Sequence, residues 1–238
     1  MAGKLKVLCA RSMTAAVNQL ADDFTRATGL EVDITFGTVG ALQAKLAAGE
    51  TADVVILGAP AIAKMEQAGA VVPGSCTAIA KTAIGVCVRE GTTPPDISTP
   101  QAFKQALVDA RVVAMSDPAV GGTAGTYLVG LWERLGLADA IKAKGIRQKS
   151  GAEVAARVVE GKADLGLTLI GEIASVKGAR VIGKLPPPYG QDTTYAAGVM
   201  AGASVRATEF IAALARPNTK AAWSAAGFEW AGKGSGQS

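Results

Sequence analysis

Residues 52–58 read "ADVVILG", an unbroken apolar run with an acid near its start and a glycine at its end. Such a strand is covered on both faces, which happens when helices pack above and below a sheet. That requirement constrains the chain more than any other feature. The neighbouring segments meet it. "KLKVLC" and "VDITFG" read as strands, and between them Met13, Val17, Leu20, Ala21 and Phe24 recur at helical spacing until Gly29 stops the helix. "GALQAKLAAGE" and "PAIAKMEQAGA" are the next helices. The alternation predicts a parallel, doubly wound α/β sheet.

The rhythm breaks at "TAIAKTAIGVCVREGTTPPDIS", a long β-rich segment ending in a Thr-Pro-Pro loop. A fresh helix follows at "TPQAFKQALVDA", with Thr99 as N-cap before Pro100. A second α/β set comes next. "RVVAMSDP", "DLGLTLI" and "RVIGKLP" are strands, and "GTAGTYLVGLWERLGL" and "SGAEVAARVVEGKA" are helices. "TTYAAGVMAG" reads as a long strand returning to the first lobe, before helical "TEFIAALARP" and "TKAAWSAAG". The expected architecture is two doubly wound α/β lobes joined by two crossing strands. Lobe I takes residues 1–82 and 199–238, and lobe II takes 83–198. Ligands of open α/β sheets bind at the carboxyl ends of strands, which here predicts a cleft between the lobes.

Composition narrows the function. A chain of 238 residues with 49% hydrophobic and 18% charged residues builds a well-buried core and is not disordered. The net charge of +4 is scattered, with no Lys/Arg run and no interleaved aromatics, which argues against nucleic acid and fits a small anionic ligand. No apolar run reaches the ~18 residues that span a bilayer. Cys9, Cys76 and Cys87 lack metal-type spacing, and their odd number favours a reducing compartment. The start "MAGKLKVLC" contains no apolar export segment, so the chain as written reads as cytoplasmic, or periplasmic if a leader has been removed. The tail "GKGSGQS" reads as disordered. There is no histidine, which excludes His-dependent triads and imidazole metal sites. No cofactor or metal is expected.

Three strand-to-helix junctions, "ARSMT", "FGTVGA" and "DPAVGGTAGT", place Ser12, Thr38 and Thr123 at helix starts among small residues. Taken singly, each reads as an N-cap worth about 1 kcal/mol. Taken together, they supply free N–H groups and partial positive charge for an anion. The pattern is neither GxGxxG nor a P-loop, so a nucleotide is not expected.

At these junctions the chain resembles the molybdate-binding proteins and their relatives of the type II periplasmic solute-binding fold. The resemblance runs through "VLCARSMTAAVNQLADDFTRATGLEV", "FGTVGALQAKLAAGETADVVIL", "DPAVGGTAGTYLVGLWERLGL" and "EVAARVVEGKADLGLTL". It implies an oxyanion held by a serine in the first junction, matching Ser12. The family's second hydroxyl falls on Val39, with Thr38 the nearest substitute, and its third-junction backbone amide falls on Ala124. Its binding tyrosine falls on Leu169 or Ile170, neither a donor. These departures argue against molybdate. Arg11 stands where the family has small residues, and its guanidinium fork suits a carboxylate. The alternative for Arg11 is a rim salt bridge.

Other polar candidates are Tyr195 on the returning strand and Glu172 in "LIGEI", which either faces the ligand or caps a helix. Asp117 before Pro118 reads as a turn former, and Tyr127 and Trp132 as packing. Two functions are carried forward. One is a solute-binding protein for a di- or tricarboxylate, with Arg11, Ser12, Thr38, Val39, Thr123, Ala124 and Tyr195 as ligand-binding residues and an ABC importer permease as partner. The other is an aconitate isomerase-like enzyme on the same fold, with Glu172 as proton shuttle. A cytoplasmic ligand sensor is a third possibility, although no partner-binding segment is visible.

Overall fold

In the computed structural model, which describes residues 4–232, strands and helices alternate as the apolar pattern requires. The chain runs β1 (Leu5–Ala10), α1 (Thr14–Thr28), β2 (Val32–Gly37), α2 (Val39–Ala47), β3 (Val54–Gly58), α3 (Ala59–Gln67) and β4 (Thr77–Arg89). Next come α4 (Pro100–Asp109), β5 (Val113–Ser116), α5 (Thr123–Leu135), α6 (Ala138–Lys144), β6 (Gly145–Gln148) and α7 (Gly151–Val159). β7 (Leu165–Leu169), α8 (Ile170–Ala174) and β8 (Ala179–Lys184) follow. β9 (Asp192–Val199), α9 (Arg206–Leu214), α10 (Lys220–Ala225) and β10 (Glu229–Trp230) come last. The expected disordered tail falls, from Lys233 onward, outside the described residues.

Two compact units divide between Lys81 and Thr82, inside β4, and between Asp192 and Thr193, at the start of β9. The second junction lies earlier than the 198/199 boundary expected from sequence. The reason is pairing: from Tyr195 to Val199, β9 is already bonded to β3.

In the first unit β1 lies parallel between β2 and β3, and β9 runs antiparallel along β3. Val54, Val55, Ile56 and Leu57 of β3 are fully buried, as the apolar run requires. α1 presents Val17, Leu20, Ala21 and Phe24 to the core and ends at Gly29 in the left-handed region, φ 72°. The C-terminal helices close this core from the far end of the chain. Phe210 meets Phe24 edge-on at 5.2 Å, and buried Trp223 donates its indole N–H to the Leu214 carbonyl at 3.2 Å.

In the second unit β5 pairs parallel with β6 and β7, while β4 runs antiparallel to β7 and β8. Thr99 caps α4, accepting from the Ala102 N–H at 3.1 Å. A core of Cys87, Ala114, Val154, Ala155, Val158 and Ile173 packs α7 and α8 onto the sheet. Asp164 accepts from the Arg111 side chain and from its backbone N–H, and the guanidinium, as the largest cause, holds this carboxyl below its usual range. Among the described residues no helix is long and apolar enough to cross a membrane. Cys9 and Cys87 are buried and Cys76 is exposed.

Close packing fixes one glycine in α5. A Cβ on Gly125 would lie 2.8–2.9 Å from backbone atoms of Ser116, Asp117 and Pro118, whereas one on Gly130 in the same helix would meet open space. Gly125→Ala should therefore cost about 1–3 kcal/mol by overpacking. Gly130→Ala should add roughly 0.5–1 kcal/mol through helix propensity. Urea melts of both variants check the pair, and a neutral Gly125→Ala would mean that the close approach is dispensable.

Candidate functional site

In the first unit β1 ends at Ala10, and the chain makes a 3-10 turn, Arg11–Met13, before α1 begins. Ser12 does not act as a cap: neither the turn nor α1 has a side-chain N-cap bond. Its Oγ instead lies 2.8 Å from the Tyr195 Oη. Tyr195 is 3% exposed, sits opposite Gly58 in the β3–β9 pairing, and meets Phe228 edge-on at 6.0 Å. A bond between two hydroxyls uses only one of their protons. When Tyr195 donates, the Ser12 proton is left to point at another acceptor.

Arg11 is exposed, and among the described residues its guanidinium makes no ion pair, so the rim salt bridge is absent there. Its carbonyl accepts from the Thr14 hydroxyl at 2.7 Å, which pins the turn. Thr38 is a true N-cap, with Oγ1 accepting from the Ala41 N–H at 3.2 Å. Val39 is the first residue of α2 and offers only its backbone.

In the second unit Asp117 forms a turn, as read from sequence, its carboxylate accepting from the Ala119 N–H at 3.0 Å. Gly122 precedes α5, Thr123 is that helix's first residue, and Ala124 behind it is buried. Tyr127 and Trp132 pack. The Tyr127 hydroxyl donates to the Tyr189 carbonyl at 2.8 Å, and Arg134 lies over its ring at 5.2 Å.

Glu172 is half-buried at the start of α8, yet it serves the neighbouring helix α7. Oε1 accepts from the Gly151 N–H at 3.2 Å, and Oε2 accepts from the Thr168 hydroxyl at 3.0 Å. Thr168 in turn lies 3.0 Å from the Ser116 Oγ. Sequence reasoning missed Ser116, Gly151 and Thr168. The available signal was a lone hydroxyl within "LGLTLI", a strand run that is otherwise apolar.

Thiols are poor candidates for a base. Desolvation pushes Cys9 far above its ordinary value and Cys87 up to about 12, and raises Cys76, with Glu66 adding to the effect. Among the described residues no group of three or more Cys, Asp or Glu is placed to hold a metal ion.

Comparison with known proteins follows the same outline. A family model described as bacterial extracellular solute-binding protein matches residues 5–229. A Pseudomonas protein named aconitate isomerase is 33% identical over 197 residues, covering 80% of this chain and 73% of its own length. The periplasmic molybdate-binding protein of Azotobacter vinelandii superposes with a TM-score of 0.71 at 26% identity, over 94% of this chain and 98% of that one. A substrate-binding domain assigned to a molybdenum ABC transporter of Clostridium difficile superposes with a TM-score of 0.76 at 18% identity, over 95% and 98% of the two chains.

The Ser12–Tyr195 bond can be measured apart from other effects of each residue. A double-mutant cycle with Ser12→Ala and Tyr195→Phe should give a coupling energy of about 0.5–1.5 kcal/mol in chemical denaturation. Additive single-mutant effects would mean that the two hydroxyls do not support each other.

Proposed function

Because the chain belongs to the family of bacterial extracellular solute-binding proteins, we propose that it binds a small di- or tricarboxylate and passes it to an ABC importer permease. The observation that carries this reading is Arg11. Its exposed guanidinium, unpaired among the described residues, stands one residue from Ser12 at the entry to α1. A guanidinium presents parallel N–H donors at the spacing of a carboxylate's oxygens. The helix start adds partial positive charge, and the Ser12 hydroxyl adds a neutral donor. A compact tetrahedral oxyanion is served less well. Val39, Leu169 and Ile170 carry no side-chain donor.

Thermal shift and calorimetry test this reading. Small di- and tricarboxylates should raise the melting temperature by linkage, and molybdate and tungstate should do so less. Arg11→Ala should weaken carboxylate binding by roughly 2–5 kcal/mol and leave the fold intact. A panel won clearly by molybdate, or unchanged affinity in the variant, would overturn it.

A second reading, double-bond isomerisation, draws on the relative named aconitate isomerase and on the seated carboxylate of Glu172. Glu172 removes a proton from one carbon of an unsaturated polycarboxylate, the electron pair delocalises towards a carboxylate as an enolate-like anion, and a proton returns at another carbon. Helix N-termini favour that anion. Incubation with cis- or trans-aconitate should then give interconversion visible by NMR, and Glu172→Gln should slow it roughly tenfold or more while binding persists. Absence of turnover leaves the solute-binding reading alone. Turnover indifferent to Glu172→Gln assigns the base elsewhere.

A further inference from the structure

We propose that Thr168, backed by Ser116, is a positioning residue that seats the carboxylate of Glu172 over Gly151. The inference rests on the isomerisation reading for its catalytic meaning, since there Glu172 carries the proton.

Thr168 is 0% exposed and Ser116 is 6% exposed. A buried hydroxyl is costly unless bonded, and valine has the same shape without that demand. The rest of β7 is Leu165, Gly166, Leu167 and Leu169, so packing alone gives no reason for a hydroxyl there. Its reason is directional. An ionised carboxylate only accepts, so the Thr168 proton points at the Glu172 Oε2. Thr168 can then only accept from Ser116, whose proton points at Thr168. The two hydroxyls form a chain polarised towards Glu172, each bond strengthening the next.

The opposite wall of the seat is Gly151. Its N–H donates to Oε1, and a Cβ at this position would collide with both the Glu172 carboxylate and the Thr168 hydroxyl. Glycine is therefore needed here for the space it leaves, in ordinary backbone geometry. Charged residues on the elements packed against α8 are Glu153 and Arg157 of α7 and Arg180 and Lys184 of β8, and β7 carries none. Arg157 engages Gln148 and Glu160, Arg180 donates to the Thr92 carbonyl, and Glu153 accepts from the Lys149 N–H.

The test uses the full chain with carbon-13-labelled glutamate, the Glu172 signal being assigned by its loss in Glu172→Gln. Thr168→Val should raise the titration midpoint of Glu172 by on the order of one unit, because a donor to the ionised form is lost. Gly151→Ala should raise it too, by pushing the carboxylate out of its seat. Thr168→Ser should restore the parent midpoint. Melting temperatures measured alongside report any purely structural role, which would lower stability without moving the midpoint. A midpoint unmoved by Thr168→Val overturns the proposal. Where aconitate turnover is present, the acidic limb of its pH–rate profile should move with the midpoint. Its absence sinks the isomerisation reading and leaves the seat to be decided by the titration alone.

Discussion

A strand buried on both faces has nowhere to put a polar group except into its ladder. β3 is fully buried from Val54 to Leu57, and β5 and β7 are buried throughout, so their backbone groups must pair sideways. Chemistry is thereby displaced to the points where strands end. Arg11 and Ser12 follow β1, Thr38 follows β2, Asp117 follows β5 and Glu172 follows β7. The exceptions obey the same constraint. Thr168 and Ser116 are hydroxyls inside the buried layer, and each is bonded.

Much of the fold was legible because apolar periodicity reports burial directly. The helix at residues 14–28, its glycine stop and the threonine cap at 99 all stand where the residues put them. The elements that escaped notice are those whose residues are only partly buried. β6 reads "GIRQ" with no fully buried residue, and α6 buries only Ile141, so neither shows a clean period. β6 exists because it completes the parallel pairing of β5, and α6 leads directly into it. The candidate site was legible residue by residue and not as pairs. Ser12 and Tyr195 lie 183 positions apart, and nothing local in either segment announces a shared hydrogen bond. Glu172 stands where a cap for its own helix would stand and serves another, because its partner Gly151 is chosen by tertiary packing.

The two charges of interest, Arg11 and Glu172, are treated differently by the fold. Arg11 is exposed and makes no ion pair among the described residues, so solvent bears its hydration. Glu172 is half-buried with both oxygens bonded, so protein groups have replaced much of its water. A cation left in solvent costs little before a ligand arrives and can exchange water for a carboxylate. An anion set among fixed donors is organised in advance and keeps its geometry whatever the ligand does. Family membership and fold do not choose between a carrier and a catalyst, since function lives in such local arrangements.

The thiols give the molecule a built-in reporter of its own cooperativity. Cys76 is open to solvent, while Cys9 lies in the core of the first unit and Cys87 in that of the second. Alkylating reagents attack thiolates, so the buried pair stays silent while its strands are intact. Opening of either core exposes one additional sulfur of known position. Mass spectrometry of partially modified molecules therefore distinguishes chains in which one half has loosened from chains in which both have, without any substitution being introduced.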